Sequence, residues 1–118
     1  MNVHRRVQYV EFEAPNGRLI RQLSRVCIEP GWVRVRWSRM SLLPSFARIR
    51  GRRSFDFAAT DTACELGLHQ SRIGFTMAHV DCVSQRDRAR LLGDRATVDS
   101  MHRDLVLAGF RSAGWPPE

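Results

Sequence analysis

The sequence predicts an α+β fold: an N-terminal antiparallel sheet of three to four strands, followed by C-terminal helices. Two patterns carry that expectation. Before about residue 57, apolar and polar residues alternate with the period of a strand, most clearly in Trp32-Val-Arg-Val-Arg-Trp37. From Ala58 onward, apolar residues recur at helical spacing.

The elements follow in order. Val7 to Glu13 alternates and is rich in Val, Tyr and Phe, so it reads as the first strand. Pro15-Asn16-Gly17 is a turn. Arg18 to Ile28 fits two descriptions. Leu19, Ile20, Leu23, Val26 and Cys27 follow a helical period, whereas Ile20, Val26 and Ile28 would share one face of a strand. The helical reading has more matching positions and leads. Pro30-Gly31 breaks the chain before the 32–37 strand. Met40 to Pro44 reads as a connection, and Phe46–Ile49 with Ser54–Phe57 as a hairpin around Arg50-Gly51-Arg52-Arg53. Ala58–Leu66 and Gln70–Val80 read as paired helices. Ser84 with Asp87 resembles a capping box opening a short helix to Leu92, stopped by Gly93. Val98, Met101, His102, Leu105, Val106 and Gly109 would form one face of a last helix. Residues 1–111 are expected to form a single domain, with 112–118 as a flexible tail.

Composition bounds the function classes. The chain has 118 residues, 43% hydrophobic and 26% charged, enough for one domain with a core. No apolar run approaches the ~20 residues of a membrane span, and no apolar stretch follows the basic N-terminus as in a secretory signal. The expected location is the cytoplasm, with no membrane partner. All 19 Lys+Arg residues are arginine, and the net charge is +7. GC-rich bacterial coding accounts for an arginine-only chain. Guanidinium groups also suit phosphate, guanine and acidic protein surfaces. Cys27, Cys64 and Cys82 form an odd, widely spaced set, expected to be reduced.

Ala63, Gly67 and Ile73 have the spacing of a helix-turn-helix, with Leu66 and Leu68 flanking the glycine and Gln70-Ser71-Arg72 opening the second helix. Residues 59–78 thus resemble a helix-turn-helix DNA-binding motif, similar to the turn of bacterial repressors and activators. The resemblance implies major-groove binding, in which Gln70 reads adenine and Arg72 reads guanine or holds phosphate, with His69 and Ser71 beside them. It also implies a homodimer on half-sites about 34 Å apart. Gly74 and Phe75 depart from the motif, one inside the second helix and the other where a polar residue is usual.

A second basic region combines Arg34 and Arg36 with Arg50, Arg52 and Arg53, interleaved with Trp32, Trp37, Phe46 and Phe55. Such a surface can track a nucleic-acid backbone, or stand as a solvated strand face. The expected partner is therefore nucleic acid, DNA ahead of RNA. The alternative is an acidic protein bound by a non-enzymatic adaptor, inhibitor or mobile-element accessory protein.

No metal or cofactor is expected. Cys64, His69, His79 and Cys82 offer an alternative zinc set, at a spacing that matches no common module. His102 with Asp99 or Asp104 and a cysteine could be drawn as a catalytic set, but no spacing favours it. No catalytic residue is assigned.

Overall fold

The computed structural model describes residues 3–13, 17, 19–37, 54–70 and 73–115. These residues form eight strands and one helix: β1 (His4–Glu13), β2 (Leu19–Glu29), β3 (Trp32–Trp37), β4 (Ser54–Ala58), β5 (Ala63–Gln70), β6 (Thr76–Val83), β7 (Arg88–Gly93), α1 (Arg95–Leu107) and β8 (Arg111–Ser112). The strands make one sheet in the order β4-β3-β2-β1-β7-β6-β5-β8. Only the short β5–β8 pairing is parallel. The sheet curls: Arg21 on β2 reaches His69 on β5 at 3.2 Å, although β1, β7 and β6 lie between them in the strand order. None of the described helices is long and apolar enough to cross a membrane.

The fold is dominated by β-structure, which overturns the expected three or four strands followed by helices. The largest correction is at residues 59–78. The span predicted as a helix-turn-helix is the antiparallel hairpin of β5 and β6, paired from Ala63–Val83 to Gln70–Thr76. Cys64 and Leu66 alternate inward on β5, and Ala78, Val80 and Cys82 do so on β6. Strand alternation and the short motif use the same residues, and pairing with β7 decides between them. Gly67 is no helix turn. It lies mid-strand, where an added Cβ would sit 2.7 Å from the His79 ring. The turn is further on, with Gly74 at φ +89° and Phe75 exposed beside it.

Residues 19–29 form a strand, so the helical reading of 18–28 is also corrected. Ile20, Gln22, Ser24, Val26 and Ile28 face inward together. Two polar residues in that row hide the alternation, since the Ser24 hydroxyl donates to the Gln22 carbonyl inside the sheet. The capping pattern at Ser84 is real but closes a turn. Asp87 N donates to Ser84 Oγ (3.1 Å) and Ser84 N to the Asp87 carbonyl (2.9 Å), and β7 follows where a helix was expected. The predicted strand partner at 46–49 lies outside the described residues; β4 pairs with β3.

The last helix is present. Asp94 caps it by accepting from Thr97 N (2.7 Å), and Val98, Met101 and Leu105 are buried at i, i+3 and i+7. Val106, expected on that face, is exposed. The helix ends as Gly109 takes φ +101° and Phe110 N donates to the Leu105 carbonyl, a Schellman-type closure. The helix packs on one sheet face, where Val10, Val26, Val35, Phe57, Val80 and Leu91 form the core with Met101 and Leu105. Trp115 lies back on the helix, donating to Asp99 (2.7 Å) under the Arg95 guanidinium.

Candidate functional site

The sheet face away from the helix carries the charge. Period-two alternation sends Val10, Val26, Val35, Val80 and Leu91 to the helix and their strand neighbours to this far face. Register then aligns Arg21, Glu11, Arg90, Asp81 and Glu65 across β2, β1, β7, β6 and β5. Arg21 Nε donates to Glu11 Oε2 at 2.7 Å. Arg90 grips Asp81 with two bonds, Nε to Oδ1 (2.8 Å) and Nη2 to Oδ2 (3.1 Å). Arg88 adds a bond to Oδ2 at 2.8 Å. His79 Nδ1 sits 3.1 Å from Asp81 Oδ1. A carboxylate only accepts, so Nδ1 carries the proton.

Asp81 is buried, with 2% of its surface exposed, so these bonds decide its charge. Burial works to raise its pKa, but hydrogen bonds from Arg90 and Arg88 outweigh burial and hold the carboxyl below its usual range. Burial, aided by the Arg90 charge, lowers the His79 pKa against the pull of Asp81. His79 is thus a neutral imidazole at pH 7. The aspartate–histidine pair resembles half of an acid–base device, but Cys64 and Cys82 lie in the core on the opposite face. The far-face ion pairs join β2, β1, β7 and β6, and Arg21 also reaches His69 on β5.

The opposite end of the same face differs. Register places Arg5 beside Cys27 and Cys27 beside Arg34, then Val7 beside Arg25 and Arg25 beside Arg36. Arg5, Arg25, Arg34 and Arg36 line one open groove of about 510 Å³ on β1–β3. Arg34 pairs with Glu29 at 3.2 Å. Arg5, Arg25 and Arg36 are exposed and have no carboxylate partner among the described residues.

The sequence candidates scatter over this frame. Arg34 and Arg36 are in the groove. His69 is on the far face, accepting from Arg21, and Gln70 is exposed at the end of β5. Ser71, Arg72, Arg50, Arg52 and Arg53 lie outside the described residues. The alternative zinc set is split, since register puts Cys64 and Cys82 on the helix face but His69 and His79 on the far face. No cluster of three or more potential metal ligands occurs among the described residues. His102 bonds Ser112 Oγ at 2.6 Å, and Asp99 is taken by Trp115. Sequence reasoning missed Arg5 and Arg25. Arg25 alternates with Ser24 and Val26, but the apolar residues of 18–28 also fit a helical period, and Arg5 precedes the first apolar residues of the strand pattern at Val7.

No family model matches the chain, and no curated protein matches it. Among solved structures, it is similar to the SsgA-like sporulation-specific cell division protein from Thermobifida fusca YX-ER1. Identity is 13%, 96% of this chain and 85% of that chain are covered, and the TM-score is 0.42.

Proposed function

We propose that this chain is a non-enzymatic interaction module whose arginine groove on β1–β3 receives an acidic segment of another protein. The observation that carries the reading is the contrast between the two ends of one sheet face. Asp81 and Glu11 are saturated by arginines of the chain itself, whereas Arg5, Arg25 and Arg36 stand exposed without a described carboxylate partner. Unpaired guanidinium groups on adjacent strands can each meet a carboxylate with two parallel bonds, which offsets the side-chain ordering that binding costs.

The lining favours a protein over a nucleic acid. Val7 and Cys27 form part of it, and Glu29 adds a negative charge that a phosphate backbone would meet unfavourably. The helix-turn-helix that first pointed to DNA is absent.

Fluorescence anisotropy with a labelled Glu/Asp-rich peptide, a random duplex and a single-stranded RNA tests the proposal. The peptide is expected to bind, and to weaken with added salt. Arg25→Glu with Arg36→Glu should weaken it by at least about tenfold, roughly 1.4 kcal/mol. Tighter binding of duplex or RNA through the same arginines, or no peptide binding at low salt, would reject the reading.

A further inference from the structure

Cys64 and Cys82 are direct cross-strand partners in the β5–β6 hairpin. Both side chains point to the helix face, and both are buried, at 1% and 0% exposure. Residues directly opposite in antiparallel strands have Cα atoms about 4.5 or 5.5 Å apart, inside the ~4.4–6.8 Å that a disulfide spans. Hydrogen bonding to Cys64, and then burial, push the Cys82 thiol well above its ordinary pKa. The third thiol, Cys27, is half-buried and lines the arginine groove on the far face, so it cannot compete for either sulfur without unfolding.

We infer that Cys64 and Cys82 are a dithiol modification site, which a low-molecular-weight disulfide converts to a cross-strand disulfide that locks β5 to β6. One cysteine loses its proton, and its thiolate attacks a sulfur of the oxidant, which releases one small thiol and leaves a mixed disulfide. The second cysteine loses its proton and attacks the protein sulfur of that mixed disulfide. This forms the Cys64–Cys82 bond and expels the second small thiol. The protein dithiol is oxidised by two electrons and the oxidant is reduced to two thiols. Burial makes access the slow step, so the reaction proceeds through opening of the elements that cover the pair. These are α1 on the helix face and β8, whose Ser112 is the edge partner of Cys64. The short β8 is the element with least pairing to lose.

The test uses the full chain incubated with oxidised glutathione at pH 8, then alkylation, non-reducing peptide mapping and thermal melting. The expected result is loss of two of the three titratable thiols, with the peptides of Cys64 and Cys82 joined in a monomer. The oxidised protein should melt no lower than the reduced one, and dithiothreitol should restore both thiols. Cys27→Ser protein should give the same cross-link with no thiol remaining. Three free thiols after prolonged exposure would overturn the inference, as would a disulfide containing Cys27. A cross-linked protein that melts below the reduced form would overturn it too, because the bond would then oppose the β5–β6 pairing.

Discussion

Asp81 accepts from Arg88, Arg90 and His79 while almost none of its surface meets water. Taking away that charge leaves Arg90 facing only Glu11, at 3.9 Å. Asp81→Asn should therefore destabilise the fold by about 3 kcal/mol, the scale of a broken buried ion pair, readable as a shift in urea midpoint. A loss under about 1 kcal/mol would mean the network is screened as a surface pair is. Little of this was legible beforehand. Asp81 sits in Ala-His-Val-Asp-Cys, which resembles a buried helix as much as a strand, and its partners are seven and nine residues away in sequence. Arg34 and Arg36 could be found because β3 alternates without interruption. Arg5 and Arg25 could not, because they join the same face only once β1, β2 and β3 are in register.

The β5–β6 hairpin shows at the scale of an element how a short motif can mislead. Ala-Cys-Glu-Leu-Gly-Leu carries apolar residues at 64, 66 and 68, a strand period, along with the small-residue spacing of a helix turn. Intrinsic preference is weak on both counts, and pairing with β7 and packing under α1 settle the conformation. Gly67 records the outcome, since the His79 ring occupies the space where a side chain would be. Gly67→Ala should cost about 1–3 kcal/mol through displacement of His79 from Asp81, with a lower melting temperature. An unchanged melting temperature would show that the ring moves aside freely. The same hairpin holds the proposed dithiol, so Gly67→Ala should also alter the rate of Cys64–Cys82 cross-linking if the strands separate more readily. The α1 helix, by contrast, was legible from its apolar spacing, because i, i+3 and i+7 positions are all local in sequence.

For the whole molecule, stability should depend on pH through the buried His79 and the half-buried His102. Burial lowers the pKa of His79 and of His102 below 6.5. The unfolded chain therefore binds protons at these sites before the folded chain does. Their contribution is complete above about pH 6.5 and is lost as the pH falls through the lower folded values. Asp81, held below its ordinary carboxylate range, adds a second loss below about pH 4. The urea midpoint should fall between pH 7.5 and pH 5.5, and His79→Gln with His102→Gln should flatten that slope. A midpoint that is flat or rises on acidification in the parent protein would contradict the assignment.

Residue order alone establishes a basic, lysine-free chain with material for one core, a clean strand at 32–37 and an amphipathic last helix. Those features depend on composition or on neighbours within two turns or one strand. The tertiary structure decides that residues 19–29, 63–70 and 76–83 are strands, that two histidines and two cysteines of one segment face opposite ways, and that Arg5 and Arg25 join Arg34 and Arg36. The reason is that sheet pairing is non-local: the side a residue faces is set by the partner strand's register, which the residues flanking it in sequence do not encode.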